Sequence, residues 1–360
     1  MKKVFAVLLT LALAVCCAAC GEGETSEELV AIPSMFEGMA DQASAWVYPT
    51  EQTGTPADAP AGLEPGTYKV GVCIHKFDDT FMASYRYELE AYFAALETED
   101  VKYDVVIMDG TNDMTVQSGQ IDAFIADEVD VLIVNLVQSS SAGDITAKAK
   151  AAGIPVVYVN REPDSSDAPA WDYAGKVTYV GTDFRQSGTA QGQIICELAD
   201  RGDIDNDGIV RYISLVGDAD SSGYRTIFAT KALDDAGISS MRLFEQRGDW
   251  TREKGRELTS NALLQFGDKI DVVFAANDEM ALGAVEACKD ASLIIGTDIY
   301  IVGIDATEPA LEAIAAKDLT GTVQNDYVSQ AQTAVNAATI AIKGEDLMQY
   351  YIVDYKKITQ

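Results

Sequence analysis

Apolar and polar positions follow one another along this chain in blocks. Nine short runs rich in β-branched and other apolar residues read as strands: Val70–Ile74, Tyr103–Met108, Val129–Leu136, Ile154–Val159, Val177–Val180, Val210–Leu215, Met241–Phe244, Asp271–Ala275 and Tyr300–Ile304. Strands buried on both faces show such continuous runs rather than strict alternation. Stretches with helical period lie between most of them. The one after Asp79 places Met82, Tyr85, Leu89 and Phe93 on one face. Repeated βα units predict parallel sheets covered by helices, and about ten such units exceed one domain. The pattern therefore predicts an α/β protein of two doubly wound parallel-sheet domains joined by a hinge, with a ligand held between them.

Several apolar runs stop at a polar residue. Asn135, Asn277 and Asp305 follow strand-like runs, and Asn325 ends the run Leu319–Gln324. In open α/β sheets a ligand sits at the carboxyl ends of the strands. Amides and carboxylates placed there suit hydroxyl groups as hydrogen-bond partners. The same residue types also cap helices and fill turns.

The chain carries 26 Lys and Arg against 57 Asp and Glu, a formal net charge of −31 over 360 residues. That balance leaves no basic footprint for nucleic acid. It also weakens attraction to an anionic membrane surface. The N-terminus differs: Lys2 and Lys3 precede the apolar run Val4–Val15, which ends in Cys16, Cys17, Ala18, Ala19, Cys20 and Gly21. The run is too short to span a bilayer and right for a secretory signal. The small residues before a Cys resemble the lipobox of bacterial lipoproteins, with Cys20 as the lipidated residue. Residues 1–20 are thus expected to be a lipoprotein signal peptide, and the mature chain to be lipid-anchored on the extracytoplasmic face of the cell membrane. Residues 21–67, without sustained period, predict a flexible tether. Phe36, Trp46 and Tyr48 are unusual in a linker and predict that part of it docks. Cys73, Cys196 and Cys288 are odd in number and widely spaced, which fits buried inert thiols and not a disulfide framework.

A second constellation runs from Asp203 to Arg211. Asp203, Asp205 and Asp207, then Gly208 and the carbonyl of Ile209, match the start of an EF-hand-like calcium loop. A polar Asp/Asn/Gly turn without metal has the same composition.

From about Lys69 onward the chain resembles the periplasmic galactose/glucose-binding protein family of bacterial ABC transporters. The resemblance rests on Lys69–Met82, Val134–Val137, Ile154–Pro163, Tyr179–Asp183, Asn277–Ala287 and Gly321–Asp326, in that order. It implies a periplasmic binding protein type 1-like fold, with one lobe at 68–154 plus 326–353 and the other at 155–325 plus 354–360. It implies a monomer that is no enzyme, binds a monosaccharide of the galactose/glucose class and delivers it to an ABC permease. Phe81 and Trp250 stand where the family stacks two rings on a pyranose, whose C–H-rich faces bury well on aromatic surface. Asp79, Asn135, Arg225, Asn277, Asp305 and Asn325 stand where it bonds the hydroxyls. His75, the single histidine, replaces a Tyr near the cleft edge.

Two departures follow from the same resemblance. Between Gly217 and Arg225 the chain is two residues shorter and lacks the family's His, leaving Asp220 or Ser221 for its Asp. Altered discrimination at one sugar hydroxyl is therefore expected. The resemblance also implies a structural Ca2+ held by Asp203, Asp205, Asp207, Ile209 and a remote Glu. Asp271 takes the place of that Glu, and Arg211 replaces a Gln ligand, so the site is expected to be weaker than the family norm. Competing readings are a sugar-sensing subunit for a chemoreceptor or kinase, a binder of a pentose, and a glycosidase pairing Asp79 with Asp305.

Overall fold

The periodic stretch after Asp79 is the helix Thr80–Leu96, and the residues it buries are Met82, Tyr85, Leu89 and Phe93. Burying a side chain of this size contributes roughly 1.5–3 kcal/mol. Asp79 is the N-cap of that helix, its Oδ1 accepting from the Met82 N–H at 2.8 Å. The computed structural model describes residues 29–36, 48–50, 53–54, 62–164, 166–217 and 222–360. Cys20, Trp46, Asp220 and Ser221 lie outside the described residues.

All nine apolar runs are strands, with ends shifted by at most four residues. They sort into two sheets. The first runs in the order Thr53–Gly54, Tyr350–Ile352, Val177–Gly181, Val156–Val159, Val131–Val134, Gly66–Ile74 and Val101–Asp109, and every pairing is parallel. The second runs Lys356–Thr359, Gly321–Gln324, Tyr300–Val302, Val272–Ala275, Val210–Val216 and Ser240–Arg247. Only its Lys356–Thr359 edge is antiparallel. Helices pack on these sheets, giving two α/β lobes.

The lobe boundary expected at residue 155 is corrected. Val156–Val159 and Val177–Gly181 pair within the first sheet, so the chain leaves the first lobe after Gly181. A parallel strand buried on both faces carries no mark of the sheet it joins. The chain returns after Gln324, where the helix Tyr327–Ile342 buries Ala331, Ala334, Val335 and Ala338 in the first lobe's core. It crosses once more before Lys356–Thr359.

Residues 21–67 are not all tether. The Ile32 N–H donates to the Arg242 carbonyl at 3.1 Å, and the Met35 N–H to Glu245 Oε1 at 2.7 Å. Phe36 is buried against Val216, Ile227 and Phe228 of the second lobe. A Cβ at Gly223 would stand 2.4 Å from the Phe36 ring, so only glycine lets that ring lie so close to the backbone. Tyr48 docks on the first lobe instead. Its hydroxyl donates to Glu162 Oε2 at 2.7 Å, and its ring meets Tyr350 edge-on at 5.1 Å between centroids. Thr53–Gly54 then adds an edge strand on Tyr350 and Tyr351.

Burial pushes the Glu162 carboxyl from its ordinary 4.5 up to about 7. An acid whose folded value is raised loses stability for the fold as pH climbs between the two values, and the whole loss stands above the higher one. Glu162→Gln is expected to leave stability unchanged near pH 4 and to raise it at pH 8 by on the order of 3 kcal/mol or less, read as a higher thermal midpoint. Midpoints of both proteins across that range check this. Burial likewise holds the Cys73 and Cys288 thiols up at about 12, which makes them inert.

Candidate functional site

Each sheet changes direction of winding at one place. In the first it lies between Gly66–Ile74 and Val131–Val134, and in the second between Val210–Val216 and Val272–Ala275. Loops leaving such neighbours diverge and open a crevice at the carboxyl ends of the strands. The cleft there is lined by His75, Asp79, Phe81, Asn160 and Arg161 from the first lobe. From the second come Phe184, Arg225, Trp250, Asn277 and Asp305, with Asn325 at the crossing.

Asn135 is the exception among the expected contacts. It is fully buried and does not line the cleft. Its Oδ1 accepts from the His75 N–H at 3.1 Å and lies 2.5 Å from His75 Nδ1. Its Nδ2 donates to the Val159 carbonyl at 3.1 Å and to Asn160 Oδ1 at 3.2 Å. An amide oxygen only accepts, so this pairing puts the imidazole proton on Nδ1. Nε2 then faces Asp79, whose Oδ2 is 3.8 Å away. Asn135 orients His75 and Asn160, which come from the flanking strands and cover it.

In the second lobe, capping and site roles coincide. Asn277 Oδ1 accepts from the Met280 N–H at 3.0 Å and caps the helix Asp278–Asp290. Its Nδ2 donates to the Trp250 carbonyl at 3.1 Å. Trp250 has φ 66° and Asp249 φ 51°. Side chains rarely adopt this left-handed region, at a cost on the order of 1 kcal/mol or more per residue. The Asn277 bond holds that backbone in place. Gly217 admits the ring, for a Cβ there would fall 1.9 Å from it.

Arg225, nearly buried, sits over two rings, its Cζ 5.2 Å from the Phe184 centroid and 5.5 Å from that of Trp250. Its Nη1–H donates to the Ala276 carbonyl. Asp305 has φ 123° and accepts at Oδ1 from Asn325 Nδ2 at 3.1 Å, while Asn325 Oδ1 accepts from Gln330 Nε2 at 2.7 Å. The chain of donors thus points at the Asp305 carboxyl. Burial pushes that carboxyl well above the usual range, and the Arg225 charge opposes the rise. The cleft therefore combines aromatic surface with donors and acceptors fixed from behind. It is suited to a small ring that bears many hydroxyls.

The acidic loop lies at the amino end of Val210–Val216, the opposite end from the cleft. Ligating atoms of Asp203, Asp205 and Asp207 all fall within 4.8 Å of one another. Three cleft residues escaped the sequence reading: Asn160, Arg161 and Phe184. The signals were present. Asn160 and Arg161 end the apolar run Val156–Val159 just as Asn135 ends its own, and Phe184 opens a helix as Phe81 nearly does.

Residues 70–346 match the family model described as periplasmic binding protein domain. The D-galactose/methyl-galactoside binding periplasmic protein of Haemophilus influenzae is 31% identical, over 77% of this chain and 82% of that protein. The ribose import binding protein of Bacillus subtilis is 27% identical, over 81% of this chain and 88% of that protein. Among solved structures, an ABC transporter solute binding protein from Bacillus halodurans with bound myo-inositol superposes with a TM-score of 0.70 at 29% identity. The match covers 82% of this chain and 96% of that one.

Proposed function

The chain belongs to the periplasmic binding protein domain family, and from that premise we propose that it is the sugar-binding subunit of an ABC importer. It works as a monomer, captures a hexose of the galactose/glucose class between its lobes, and delivers it to the permease when the hinge closes. The observation that carries this reading is the cleft itself. Phe81 comes from one lobe and Trp250 from the other, and the polar residues between them are held by hydrogen bonds from behind. Such a site binds a neutral ring of hydroxyls with little reorganisation. The relatives are binding proteins, and the carboxylates of Asp79 and Asp305 are engaged in a helix cap and in the bond from Asn325. That arrangement holds a sugar rather than cleaving it.

A cyclitol is the second reading, and Arg161 favours it. A ring with a hydroxyl on every carbon gains from a second guanidinium across the cleft from Arg225, and the relative from Bacillus halodurans holds myo-inositol. Calorimetry with galactose, glucose, a methyl galactoside, myo-inositol and ribose decides. Tightest binding of a hexose supports the first reading. A pentose bound far more tightly than any six-membered ring would overturn the hexose assignment and leave the fold untouched.

The membrane anchor we propose rests on Cys20. Lipidation there holds the mature chain at the membrane, so Cys20→Ala is expected to release it in soluble form. The intact mass of the mature N-terminus checks the site, and an unmodified N-terminus elsewhere would rule the anchor out.

A further inference from the structure

A calcium loop must leave its oxygens free to converge on one point, with six to eight of them about 2.3–2.6 Å from the ion. The loop Asp203–Arg211 has the spacing for this, but a side-chain cation already lies among its oxygens. Arg211 is 11% exposed and lays its guanidinium over the loop. Nη2–H donates to Asp207 Oδ2, and Nη1–H donates to the Ile209 carbonyl at 3.4 Å while standing 3.7 Å from Asp205 Oδ2. Backbone N–H groups bond several of the others. Asp203 accepts from the N–H groups of Asp207 at 3.1 Å and Gly208 at 2.9 Å, and Asp271 Oδ2 accepts from the N–H of Arg211 itself at 2.7 Å. The residues present do not fit the ion, because a divalent cation among these oxygens would meet a guanidinium that cannot lose its proton.

We infer that Arg211 is itself the cation of this loop. Its guanidinium is tethered to the strand Val210–Val216 and draws Asp205, Asp207 and the Ile209 carbonyl together in place of a divalent ion. The second lobe folds without metal. A planar fork of donors matches carboxylate oxygens as a spherical ion does, and it cannot be removed by a chelator or exchanged for another metal. One dependence replaces another. Asp205 and Asp207 are 42% and 40% exposed, so their pairing with Arg211 is screened by salt, whereas a bound ion would depend on its free concentration.

The test uses the purified full-length chain with calcium alone as the probe. The thermal midpoint of the wild type is expected to be the same in chelator and in millimolar calcium, and calorimetry is expected to show no calcium binding. Arg211→Gln, paired with Asp271→Glu, is expected to lower the midpoint by several degrees in chelator and to recover it when calcium is added. Arg211→Lys keeps the charge and is expected to stay indifferent to calcium. A wild type that binds calcium, or that loses its midpoint in chelator, overturns the inference even if no variant folds. So does an Arg211→Gln, Asp271→Glu protein as stable as the wild type in chelator.

Discussion

Trp250→Ala is expected to weaken sugar binding by roughly 3 kcal/mol, about a hundredfold or more in dissociation constant. The ring is the second lobe's aromatic wall, and its C–H-facing surface is lost outright. The loss spreads beyond contact area. Arg225 sits over the same ring, and the Gly217 backbone lies against it, so truncation also leaves a void on which the guanidinium no longer rests. Trp250→Phe retains a ring on the same left-handed backbone and is expected to recover much of the affinity. The chain has three tryptophans, Trp46, Trp171 and Trp250, and among the described residues Trp250 alone of them lines the cleft. Sugar should therefore shift the intrinsic emission of the wild type and leave that of Trp250→Ala nearly unchanged. Normal affinity in that variant would remove Trp250 from the site.

Arg225→Met should damage both stability and binding, and the two can be separated. Arg225 is nearly buried, and its charge is what holds down the Asp305 carboxyl. Removing the guanidinium also leaves the Ala276 carbonyl without its donor, at a cost of about 1–3 kcal/mol. With the cation gone, the Asp305 value rises further. An acid raised in the fold is a loss that grows as pH climbs, so the destabilisation should be smaller near pH 4 and largest at pH 8. The double variant Arg225→Met, Asp305→Asn removes both charges and is expected to regain most of the stability. It is not expected to regain affinity, because both residues line the cleft and are the proposed partners of two hydroxyls. Urea unfolding at the two pH values, with calorimetry beside it, reads both quantities. An Arg225→Met protein as stable as the wild type at pH 8 would show that the two groups are not coupled.

The fold was legible where strands were long and buried. Runs such as Gly66–Ile74 and Val210–Val216 have buried carboxyl-terminal halves, and burial on both faces is what writes a continuous apolar run. Edge strands write no such signal. Thr53–Gly54 has two residues, and Lys356–Thr359 is largely exposed. The cleft was legible because its residues stand at strand ends, yet the sequence could not give depth. Asn135 and Asn160 end neighbouring strands with the same residue type, and only packing decides that one lies under the other. The partners of Arg211 were hidden for a related reason. Spacing shows which oxygens converge, while the direction in which a long side chain folds back is a tertiary fact.

The docked residues ahead of the family domain have a mechanical consequence. Force drawn along the chain from its N-terminal side meets the second lobe first, at the bonds of Ile32 and Met35 and the seat of Phe36. The first lobe takes load only later, at Tyr48 and Thr53–Gly54. Such a pull therefore bears first on the lobe that carries Trp250 and Arg225, and reaches the first lobe only through the chain beyond Phe36.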